Sequence, residues 1–220
     1  MTGHADEAGA GPELFPHDRV VFFSDAVFAI AMTLLAVELK TPSEELVARV
    51  GENLAWGETV SVFIAYVVSF LVCALFWVGH MLTWKHIARA TPKLVWCTVF
   101  QLMFVALMPF ATRLYSEAFN GHSPGRFAFY SFVLAGIALF NVLTRWVAVR
   151  QENLRAKLGA TQVRWLLLRG MVPLLVFAAG IPLAFVLPMQ MGGFMFALIL
   201  PLNIVARRLC LRRTQPEPAA

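Results

Sequence analysis

Residues 19–39 read RVVFFSDAVFAIAMTLLAVEL, an apolar run with Ser24 and Asp25 near its start. The run is long enough to cross a bilayer as a helix. An aspartate inside such a helix is costly unless it meets a partner, so it marks a structural network or a transport path. The rest of the chain is read outward from this segment.

The 220 residues are 59% hydrophobic and only 14% charged. A soluble domain carries about 25% charged residues. The apolar residues fall in long runs, and the mean hydropathy is +0.70. The class implied is an all-α, multi-pass membrane protein. Residues 1–18 hold Asp6, Glu7, Pro12, Glu13 and Pro16 without an apolar core, so they read as a cytoplasmic tail and not as a secretory signal. Cys73, Cys97 and Cys210 have no metal-ligand spacing and imply no disulfide framework. The net charge of +5 is spread between apolar runs, which argues against a nucleic-acid partner.

Six spans are expected, at about 19–39, 59–84, 94–116, 126–148, 165–187 and 190–207. The polar stretch 43–58 reads as partly helical, because Pro42-Ser43-Glu44-Glu45 has the form of a helix start. Pro109 should kink the third span, and Pro173 and Pro182 lie in the fifth. Pro188 should end the fifth span, leaving a tight hairpin into the sixth. The bundle, 19–208, forms one domain, and 209–220 is a basic, Pro-rich cytoplasmic tail. No internal repeat is evident.

An even number of spans puts both termini on one side. With the termini inside, all of the 18 basic side chains except Lys40, Arg49, Arg113 and Arg126 are cytoplasmic. The outer loops then hold Glu38, Glu44, Glu45, Glu52, Glu58 and Glu117. The location expected is the cell membrane. Trp77, Trp84, Trp96, Trp146 and Trp165 gather near the cytoplasmic span ends, as interfacial anchors do.

On a helical wheel, Phe23, Ile30, Leu34 and Val37 form one narrow apolar stripe. Asp25 points roughly away from it, and Ser24 and Thr33 flank it. Such a stripe lines a symmetric axis or packs on a neighbouring helix. Asp25 and Arg19 are not in i,i+4 register, so each is free to pair with another helix. His80, late in the second span, is the obvious partner. Asn141, Asn203 and Gln101 read as interhelical hydrogen-bond groups, and Gly136 as a point of close helix approach.

No HExxH, CxxC, phosphate loop or G-x-S-x-G elbow occurs, so no enzyme, metal or cofactor site is expected. A TVGYG-type carbonyl filter and an Arg-rich voltage-sensing helix are also absent from the sequence.

Arg19-x-x-x-Phe23-Ser24-Asp25 with the following AVFAIAMTLLAVEL closely resembles the first helix of the transmembrane-protein-175 family of potassium-permeable channels. Phe76-Trp77-x-x-His80 in the second span is a second match. The resemblance implies a homotetramer of six-helix subunits, with the first helix of each around the pore. It implies apolar rings at Ile30, Leu34 and Val37 and a selectivity-linked hydroxyl at Thr33. It also implies a structural network of Arg19, Asp25 and His80, supported by Ser24 and Trp77. Val37 is smaller than leucine, which widens the third ring.

The function expected is a potassium-permeable cation channel of weak to moderate potassium selectivity. Its partners are further copies of itself, membrane lipids and monovalent cations. Glu38 sits at the outer mouth, where its charge raises local cation concentration. Two other classes stay open: a secondary transporter with a midplane site, and a non-conducting membrane scaffold.

Overall fold

The computed structural model of the chain describes residues 15–39, 41–120, 123–151, 158–186, 199, 201–205 and 208. These residues are helical apart from short connections and one isolated bridge between Phe15 and Ala90. The elements are α1 (His17–Leu35), continued by a 3₁₀ turn (Ala36–Glu38), α2 (Glu44–Val50) and α3 (Glu52–Trp84). They continue as α4 (Pro92–Ala106), α5 (Met108–Asn120), α6 (Pro124–Gln151) and α7 (Ala160–Leu183). Five spans are long and apolar enough to cross a membrane: α1 with its 3₁₀ turn, α3, α4 with α5, α6 and α7. The expected sixth span and the hairpin at Pro188 lie mostly outside the described residues. Those described there, 199, 201–205 and 208, are helical.

The second span starts earlier than expected, at Glu52 instead of residue 59. Gly51 is the reason. It takes φ 85°, a conformation that L side chains rarely adopt. Its N–H closes α2 on the Val47 carbonyl at 2.9 Å, and its own carbonyl opens α3 through the Ala55 N–H at 3.1 Å. One glycine thus ends one helix and begins the next, and the polar turn 52–58 becomes the outer part of α3. At 33 residues, α3 is about 50 Å long and overshoots a hydrocarbon core of about 30 Å.

The third span is broken at Leu107. Pro109 has no N–H for the Val105 carbonyl, and its ring crowds that turn. Leu107 tightens onto the Phe104 carbonyl at 3.2 Å, and the ladder resumes at Ala111 on Leu107 at 2.9 Å. The prolines of α7, Pro173 and Pro182, leave that helix unbroken.

α6 is the central post. Of its most apolar stretch 67% is buried, against 22% for α1. It packs against α3, α4, α5 and α7. Small residues make this possible. A Cβ on Gly136 would lie 2.6 Å from the Phe104 ring, so the glycine admits the aromatic at closest approach. Tyr115 and Tyr130 stack at 4.5 Å in the same core, and the Tyr130 hydroxyl shares a 2.9 Å hydrogen bond with Ser69.

Three contacts gather one end of the bundle. His17 Nε2 donates to the Trp84 carbonyl at 3.4 Å, Phe15 N–H to the Ala90 carbonyl at 3.0 Å, and Thr91 Oγ1 to Gln151 Oε1 at 2.9 Å. The starts of α1 and α4 therefore share a level with the ends of α3 and α6. Lys85, Arg89, Lys93 and Arg150 collect there. Trp84 is not the interfacial anchor expected of it. It is fully buried, with its ring 5.4 Å from His17 and 5.9 Å from His80. Trp146 does stand at the surface, with the Arg150 guanidinium 3.6 Å from its ring centre.

Candidate functional site

α1 has two faces. Ser24, Phe28, Ala31 and Leu35 are buried against the bundle. On the wheel they occupy an arc of about 60°. The stripe about 120° around the helix from that arc is bare: Ile30 is 57% exposed, Leu34 46% and Val37 68%, and Phe23 is exposed with them. Thr33 is exposed beside the stripe, and its hydroxyl donates to the Ile30 carbonyl at 2.8 Å. With its proton committed to the backbone, the Thr33 oxygen presents only lone pairs outward. Glu38 is half-buried in the 3₁₀ turn that ends the helix.

The polar residues of α1 lie off this stripe. The Trp77 indole N–H donates to Asp25 Oδ1 at 2.8 Å, joining α1 to α3. Ser24 is buried and donates to the Val20 carbonyl of its own helix at 2.8 Å. His80 does not bond Asp25 directly. Its Nδ1 donates to Gln101 Oε1 at 3.2 Å, while its ring lies 5.7 Å from Phe28. Arg19 is exposed and has no ion-pair or hydrogen-bond partner among the described residues. It lines a shallow apolar pocket with Phe23, Val95 and Val99. Within one chain, then, the belt is Asp25–Trp77 beside His80–Gln101 instead of one Arg19–Asp25–His80 chain. His80 Nε2, Gln101 Nε2, Thr98 Oγ1 and Trp84 Nε1 are buried there with no partner among the described residues. Such a cluster of donors and acceptors suits ordered water.

Two other polar groups stand elsewhere. Asn141 is buried on α6 and lines a cleft of about 370 Å³ between α3 and α7. Arg145, which the sequence suggests is a charge at a span edge, is only 5% exposed. Its Nε donates to Thr83 Oγ1 at 3.1 Å, Nη1 to the Leu166 carbonyl at 3.1 Å and Nη2 to the Gly79 carbonyl at 3.4 Å. One guanidinium thereby ties α3, α6 and α7 together. Its position six residues inside the end of α6 is the only signal the sequence holds. Among the described residues, no group of three or more His, Cys, Asp or Glu is placed to hold a metal ion.

The family model described as "Endosomal/lysosomal potassium channel TMEM175" matches residues 19–109. That range holds the whole stripe, the polar belt and the Pro109 break. A potassium channel of Streptomyces collinus is 34% identical over 62% of this chain and 66% of its own. A potassium channel of Chamaesiphon minutus is 32% identical over 69% of this chain and 76% of its own.

The chain belongs to the TMEM175 family.

A crystal structure of a Chamaesiphon minutus homologue of the lysosomal potassium-selective channel TMEM175 superposes with a TM-score of 0.69. It covers 86% of this chain and 97% of that one, at 25% identity. The TMEM175 likeness therefore extends beyond the residues that the family model matches.

Proposed function

We propose that this chain is a subunit of a potassium-permeable cation channel, four copies of which surround a pore lined by α1. The observation that carries the reading is the bare apolar stripe of Ile30, Leu34 and Val37, on a helix that buries Ser24, Phe28, Ala31 and Leu35 against the bundle. A second copy of the chain is the natural cover for it, and a four-fold axis turns each stripe position into a ring. The names of the relatives support potassium as the permeant ion.

The rings stack about 6 Å and 5 Å apart along the axis. A cation crossing them must give up much of its hydration, and that loss sets the barrier. No carbonyl filter offsets it, because the carbonyls of a continuous helix such as α1 are taken by its own ladder. The Thr33 oxygens, open as acceptors only, are placed to replace part of the lost water. Glu38 at the end of α1 draws cations to the mouth. Asp25–Trp77, with His80, Gln101, Ser24 and Arg19 around it, holds the pore helix in place and does not coordinate the ion. The basic end of the bundle, both tails and residues 1–18 and 209–220 lie in the cytoplasm, with 19–208 as the channel domain in the cell membrane.

The test is potassium against sodium flux in proteoliposomes, wild type beside Ile30→Asn. Uncoupled cation flux that rises and loses ion preference in the variant supports the reading. Flux that saturates and follows a coupling gradient indicates a transporter, and intact oligomers without flux in either protein indicate a scaffold.

A further inference from the structure

On the side of α3 opposite Trp77 and α1, a cleft of about 370 Å³ runs between α3 and α7. Its rim on α3 carries Leu71 and Leu75, both apolar and exposed. Its inner wall carries Arg145, and Arg169 stands beside it on α7. A Cβ on Gly170, the neighbour of Arg169, would lie 3.0 Å from Arg145 Nη1, so the two arginines line one short stretch of wall.

Among the described residues, neither guanidinium has a carboxylate partner. From residue 59 onward the sequence holds only Glu117, Glu152 and Glu217 as acidic side chains. Glu117 is engaged by Arg113 and Arg126 at the other end of the bundle. Arg145 uses three of its five N–H groups on Thr83, Leu166 and Gly79. Two remain for an acceptor. A pair of arginines within a membrane-spanning bundle is expensive without an anion. The cleft also contains an orphan acceptor. Asn203 Nδ2 donates to the Ile199 carbonyl at 2.9 Å, whereas its buried Oδ1 has no partner among the described residues.

We propose that this cleft binds an anionic phospholipid with a hydroxyl-bearing headgroup. The phosphate sits against Arg145 and Arg169, a headgroup hydroxyl donates to Asn203 Oδ1, and an acyl chain lies along Leu71 and Leu75. Arginine forks match phosphate oxygens, and the apolar rim is continuous with the bilayer. The site stands apart from α1 and does not depend on what passes along that helix.

The experiment is thermal denaturation of the purified full chain in neutral detergent. The additions are phosphatidylglycerol, phosphatidylcholine of the same acyl chains, or inorganic phosphate. Phosphatidylglycerol is expected to raise the melting temperature by about 3 °C or more at tenfold excess over its Kd. Arg169→Gln, at an exposed position, is expected to keep the lipid-free melting temperature and to raise the Kd for phosphatidylglycerol about tenfold. An equal rise with phosphatidylcholine overturns the proposal, since acyl chains alone then account for it. A rise reproduced by inorganic phosphate overturns it in favour of a free-anion site. A phosphatidylglycerol effect that Arg169→Gln leaves intact also overturns it, by assigning the effect to surface charge. If that variant fails to fold, Arg169→Lys and the three additions to wild type still decide.

Discussion

The Trp77–Asp25 bond joins a side chain of α3 to a side chain of the stripe-bearing helix, and Trp77→Phe removes it while keeping an aromatic ring. The bond is short, at 2.8 Å, and its acceptor is a carboxylate. Hydrogen bonds to charged groups contribute about 1.5–3 kcal/mol. Asp25 is half-exposed, which favours the lower part of that range, while loss of part of the indole adds a little. A cost of about 2 kcal/mol corresponds to a fall of about 4–8 °C for a chain of this size. Melting followed by size-exclusion chromatography in detergent reports it. Asp25→Ala should lose a similar amount, because it strands the indole N–H. The double variant should cost little more than either single change, giving a coupling of about 1.5–2 kcal/mol. Costs that add within about 0.5 kcal/mol refute the reasoning, because each residue then serves a different partner.

Other perturbations follow from the same packing. Gly136→Leu forces a side chain into the Phe104 ring, which a Cβ alone would meet at 2.6 Å, and should cost about 1–3 kcal/mol or more, read as a lower melting temperature. Arg145→Lys keeps the charge but cannot reach Thr83, Leu166 and Gly79 together. It should destabilise by about 1–3 kcal/mol, and unchanged melting would show that the three bonds are idle.

Much of the bundle is legible in the sequence because the bilayer demands long apolar runs and proline removes a ladder donor. Both signals are local, so five spans and the Pro109 break can be read residue by residue. The start of α3 is less accessible. Glu52 and Glu58 look like loop residues, and only the positive φ of Gly51 turns that stretch into helix. The stripe of Ile30, Leu34 and Val37 follows from the 3.6-residue period, and the motif around Asp25 draws attention to Trp77 and His80. Which of them meets Asp25 depends on helix rotation. Trp77 reaches it, and His80 turns to Gln101. Arg145 and Trp84 are misread for one reason. Near a span end, a charged or indole side chain has the same spacing whether it faces headgroups or the core, and only the neighbouring helices decide.

The central claim is that the bare face of α1 faces ions. It is tested most directly by block of cation current after single cysteines are placed in a background without Cys73, Cys97 and Cys210. A charged, water-soluble thiol reagent is applied to reconstituted Ile30→Cys, Leu34→Cys and Val37→Cys, with Ala31→Cys on the buried face as the comparison. Rapid block at the three stripe positions and none at Ala31→Cys is the expected result. Current that ignores the reagent at all three, in a preparation shown to conduct, places the pore elsewhere and contradicts the claim.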